Sequence, residues 1–81
     1  MADAAVAAGM PRAQACEFAA QAVYGSAKLM LESGKHPGEL KDMVCSPGGT
    51  TIQGVRVLEE KGLRGAVMDA LQAVVEQTRK L

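Results

Sequence analysis

Aromatic side chains are almost missing from this sequence: Phe18 and Tyr24 are the two examples, tryptophan does not occur, and the aromatic share of the 81 residues is 2%. A bulky aromatic core is therefore excluded. Packing has to rest on Ala, Val, Leu and Met, which supply most of a 48% hydrophobic share and favour helices in close approach. Excess charge of either sign is also absent, since nine Lys+Arg offset nine Asp+Glu. That balance speaks against nucleic acid and against an acidic membrane surface as partners. No apolar run approaches the roughly 20 residues of a membrane span. Cys16 and Cys45 are two isolated cysteines with neither metal-ligand nor redox spacing, so no metal site and no disulfide framework is expected, and a reducing cytoplasm fits best. The opening MADAAVAAGM carries no basic stretch, and a signal peptide is not expected.

What is present reads as one all-α domain over 1–81. A chain of this size buries only about 60% of its extended surface, so a lone core is thin and association with another chain is expected. Ala2 to Ala8 is helix-compatible but has no Ser, Thr or Asn cap before it, which reads as the tail of a longer helix over 1–9. Gly9 and Pro11 then stop one helix and start another. Arg12 to about Ser33 has one interior glycine, Gly25, and no proline. With Ala15, Phe18, Ala19, Ala22, Val23, Leu29 and Met30 on nearly every side, it reads as a central, mostly buried helix. Tyr24 is expected to bury its ring between helices.

Gly34 ends that helix, and Pro37 opens a short one with Glu39 in its first turn. Thr50 to about Lys61 follows, where Thr50 and Gln53 match a capping box and Ile52, Val55 and Leu58 form an inward stripe. Gly62 separates it from a last helix over Leu63 to Lys80, striped by Val67, Leu71, Val74, Val75 and Thr78, with Glu76 and Lys80 at pairing distance. No segment alternates with period two, and no internal repeat or low-complexity linker is found.

Between the third and fourth helices lies Ser46-Pro47-Gly48-Gly49-Thr50-Thr51. A helix stops, a Pro-Gly-Gly turn reverses the chain, and the next helix opens with two hydroxyl residues. Such a corner leaves backbone N–H groups unpaired beside side-chain hydroxyls, which suits a small anion and above all a carboxylate. It also reads as a plain connector, with Thr50 as N-cap and Thr51 as an ordinary first-turn residue. His36, ahead of Pro37, reads as a capping or surface residue rather than an acid or base. Cys45 reads as a small packing residue, and Met30, Met43 and Met68 as filler.

The segment HPGELKDMVCSPGGTTIQGVRVLEEKGLRGAVMDAL, with GMPRAQACEFAAQAVYGSAKLMLESGKHPGELKD overlapping before it, resembles the C-terminal domain of pyrroline-5-carboxylate reductase. The resemblance covers effectively the whole chain. It implies a five-helix bundle interlocked with its copy in a homodimer, with further assembly into a decamer as a pentamer of dimers. It implies a Rossmann domain elsewhere that binds NADPH or NADH. No GxGxxG occurs here, so this chain corresponds to the dimerisation and substrate-binding half, inactive by itself. The family reaction reduces the cyclic imine 1-pyrroline-5-carboxylate to L-proline, the last step of proline synthesis.

By that resemblance, Ser46 through its hydroxyl and Gly49 and Thr50 through their backbone N–H groups hold the substrate carboxylate. Gly48 and Gly49 let the main chain come close, Val44 walls the pocket, and the catalytic position near the ring nitrogen falls to the Thr51 hydroxyl. No nucleophile is required, because hydride transfer is the cofactor's chemistry. The competing reading is a free-standing helical dimerisation or scaffold module with no small-molecule role, motivated by the small-residue helix from Arg12 to Ser33.

Overall fold

The computed structural model describes residues 1–81 as five helices without a strand: α1 (Ala2–Ala7), α2 (Arg12–Ser33), α3 (Pro37–Val44), α4 (Thr50–Glu60) and α5 (Leu63–Lys80). The all-α expectation holds, and each boundary lies within a residue or two of the punctuation read from sequence. The chain divides into two compact units, Met1–Lys41 and Asp42–Leu81, and α3 runs across the division.

In the first unit α1 lies against α2. Gly9, at φ 109°, closes α1 by donating its N–H to the Val6 carbonyl at 2.9 Å, while Met10 donates to Ala5 at 3.0 Å. These two bonds form a Schellman stop, whose left-handed position suits glycine. Pro11 then sits at the N-cap of α2, and Asp3 reaches across to Arg12 at 2.6 Å. Ala15 is the one fully buried residue, at 1% exposure, with Ala19, Ala5, Val6 and Met10 half-buried. Small side chains thus make the contact, as the alanine content anticipates. Gly34 at φ 68° ends α2. His36 starts α3: its Nδ1 accepts the Gly38 N–H at 2.9 Å and its carbonyl accepts those of Glu39 and Leu40. The capping reading of His36 holds.

In the second unit α4 and α5 meet at a turn through Gly62, φ 73°. An exposed ion pair between Arg64 and Glu59 spans that turn, and Arg56 pairs with Glu60 along α4 at 2.5 Å. The Glu76–Lys80 pair expected on α5 is not formed; Glu76 accepts instead from Gln72 at 3.2 Å, one turn earlier.

Burial departs from expectation. α2 is not a buried helix within this chain: Phe18 is 55% exposed, Tyr24 61% and Leu31 79%. The stripes of α4 and α5 are likewise open, with Leu58 at 46% and Leu71 at 62% exposed. The physical reason is supply. Within the first unit, α1 alone supplies cover to α2, and on one side of it.

Candidate functional site

The Ser46–Thr51 corner begins with a four-residue turn. The Gly49 N–H donates to the Ser46 carbonyl at 3.1 Å. Pro47 fills the second position, where its ring sets φ, and Gly48 the third, at φ 69°. This is a type II turn, whose third residue must be left-handed and so favours glycine. Gly49 emerges extended, at φ −79° and ψ 179°, and caps α4 without any side-chain cap. The N–H groups of Thr50, Thr51 and Ile52 consequently have no acceptor within the chain. Three converging donors at the positive end of an 11-residue helix form a ready cradle for a carboxylate.

Two expectations need correction. The Thr50–Gln53 capping box does not form. The turn already delivers Gly49 in the extended conformation a cap requires, so the cap falls one residue before the hydroxyl, and Thr50 becomes the first helical residue of α4. Gln53 turns the other way, its Oε1 accepting from Arg56 Nε at 3.2 Å. Second, the Gly49 N–H is not a free donor, because the turn consumes it. The shift of the cap brings Ile52 into the free set, which the sequence reading missed. The proline in the second turn position was the available signal, since it marks Gly48 as the left-handed residue and Gly49 as the exit.

The side chains of Ser46, Thr50 and Thr51 are exposed, and Gly49 is half-buried. A Cβ built on Gly49 would stand 2.5 Å from Ser46 Oγ, so that hydroxyl lies beside the capping residue. Val44 ends α3 at 60% exposure and encloses nothing within one chain. Cys45 is half-buried and free, as befits a packing residue. In the second unit, the Arg64 guanidinium has its pKa raised by its hydrogen bond to Glu59 and by that carboxylate's charge. An open apolar recess of about 470 Å³ lies in the first unit, lined by Met1, Ala22, Val23, Ser26, Ala27 and Met30, and includes none of the corner residues.

A family model described as pyrroline-5-carboxylate reductase dimerisation matches residues 1–81. The chain belongs to that family. The pyrroline-5-carboxylate reductase of Escherichia coli K12 is 70% identical over 81 residues, covering all of this chain and 30% of that protein. Among solved structures, 1-pyrroline-5-carboxylate reductase from Streptococcus pyogenes superposes with a TM-score of 0.95 at 39% identity, over 99% of this chain and 31% of that one. A Plasmodium falciparum pyrroline carboxylate reductase with NADP bound gives 0.89 at 33% identity, over 94% and 29%. The chain thus spans about 30% of the length of the reductases it matches, at their C-terminal end.

A reductase dimerisation chain raises the question of the nucleotide. Dinucleotides are gripped by a glycine-rich strand-to-helix turn. The five helices here include no strand to begin one, so these residues do not fit the nucleotide.

Proposed function

We propose that this chain supplies the substrate-carboxylate site and the dimer surface of an NAD(P)H-dependent pyrroline-5-carboxylate reductase, whose reaction turns 1-pyrroline-5-carboxylate into L-proline. The observation that carries the reading is the trio of unpaired N–H groups at Thr50, Thr51 and Ile52. A carboxylate docked there accepts charge-assisted bonds without displacing any bond of the protein. The Ser46 hydroxyl, beside Gly49, adds a further donor on the turn side.

The carboxylate then fixes the ring. With its acid group held at the start of α4, the adjoining imine nitrogen falls within reach of the Thr51 hydroxyl, on the first turn of the same helix. That hydroxyl bonds the nitrogen and orients the imine carbon toward the hydride donor, whose NADPH or NADH is held by residues outside this chain. Positioning of this kind accelerates a reaction by removing orientational freedom before the chemical step. The isolated 81 residues are inactive on this account, and the complete enzyme is a cytoplasmic homodimer that assembles further into a decamer, with Val44 closing the pocket in the assembly.

Thr51→Ala in the complete reductase tests the assignment. It is expected to lower kcat by about tenfold or more, as loss of a bond strengthened in the transition state does, while sedimentation shows the assembly unchanged. An unaltered kcat would remove Thr51 from the mechanism. The exposed apolar faces of α2 favour one alternative, a dimerisation module without a ligand. That reading predicts wild-type kinetics for Thr51→Ala and for every corner variant.

A further inference from the structure

We propose that Gly49 is a positioning residue for Ser46: its missing side chain is what allows the Ser46 hydroxyl to stand beside the cap of α4. The inference rests on the reading of the corner as a carboxylate site.

Two neighbouring glycines occupy the turn, and they are there for different reasons. Gly48 needs glycine's backbone freedom, since its φ is 69°, but a Cβ added to it would meet nothing within 4 Å. Gly49 is the reverse. Its φ of −79° and ψ of 179° lie in the extended region open to any L residue, so backbone freedom does not explain it. What excludes a side chain is contact. A Cβ there would stand 2.5 Å from Ser46 Oγ, 3.3 Å from the Ser46 carbonyl oxygen and 3.7 Å from Ser46 Cβ.

The closest of these three is the freely rotating end of a side chain. An alanine at this position is therefore accommodated by a swing of the Ser46 hydroxyl about its Cα–Cβ bond, with a small give at the Ser46 carbonyl oxygen 3.3 Å away and with the turn and its Gly49–Ser46 hydrogen bond retained. The swing carries the hydroxyl away from the cap, while the free N–H groups of Thr50, Thr51 and Ile52 stay where they are. Functionally, Gly49→Ala is then a hidden Ser46→Ala, and the two changes do not add.

The test is a double-variant cycle in the complete reductase, read as KM for the imine substrate, kcat and melting temperature. Ser46→Ala is expected to raise KM about tenfold with kcat held, as loss of one bond to a charged group does when ground and transition states use it equally. Gly49→Ala is expected to raise KM by a similar factor at an unchanged melting temperature. The double variant should be no worse than either single one. If the double variant multiplies the two effects, or if Gly49→Ala leaves KM at the wild-type value while Ser46→Ala raises it, Gly49 does not act through the hydroxyl. The proposal is then overturned and the carboxylate reading stands. A large fall in melting temperature for Gly49→Ala would also overturn it, because the backbone rather than the hydroxyl would be absorbing the Cβ. If Ser46→Ala leaves KM untouched, the hydroxyl is not a substrate contact, and this proposal falls together with that part of the reading.

Discussion

At the scale of single residues, the corner after α3 gains its chemistry from where a cap is lacking. A threonine at the N-cap of α4 would have satisfied one of the helix's own N–H groups. Gly49 in that place has no side chain to do so, and the donors stay available. Sequence located the corner and its residue types, because Pro, Gly and Thr punctuate so strongly. It misplaced the cap by one position, because Thr50 and Gln53 satisfy the capping-box pattern equally well whether or not the preceding turn has already supplied a cap. The left-handed Gly48 holds the geometry. Gly48→Ala places an L residue at φ 69°, a conformation costing about 1–2 kcal/mol. Chemical denaturation should register a loss of that size, accompanied by a raised KM, since the turn aims the first residues of α4. A variant as stable as the wild type would mean that the turn readily takes another form.

At the scale of elements, glycine and proline made the helix boundaries legible. Gly9, Gly34 and Gly62 all take left-handed conformations at helix ends, and Pro11 and Pro37 stand at helix starts. Burial was not legible in the same way. The apolar side chains distributed around α2 signal a helix covered on several sides, but periodicity does not say whether the cover comes from the same chain. Within this one, α1 covers the face carrying Ala15 and Ala19, while Phe18, Val23, Tyr24 and Leu29 remain open. Tyr24 therefore does not bury its ring as expected. The α1–α2 contact depends on small size at its centre. Ala15→Leu should destabilise the first unit by about 1–3 kcal/mol through overpacking, measurable in a denaturant titration. A neutral outcome would show that α1 shifts freely on α2. The exposed Arg64–Glu59 pair, by contrast, is screened by water and salt and contributes little.

At the scale of the whole molecule, the fold is unfinished as a single chain. Apolar side chains stay open in both units, among them Phe18, Tyr24 and Leu31 in the first and Met68 and Leu71 in the second. Obligate homodimer interfaces are large and more apolar than transient ones, so a second copy accounts for open surface of this character. Membership of a dimerisation family points the same way, and the open stripes of α2, α4 and α5 are the surfaces that such a copy would cover. The proposed carboxylate site gains from the same event, because Val44, open at the end of α3, has nothing to enclose until further chain is packed around it. Sedimentation equilibrium of the 81-residue chain at tens of micromolar is thus the most direct test. The account predicts a single species of about twice the 8.4 kDa chain mass, with no resolvable monomer. A stable, folded monomer at that concentration would contradict it.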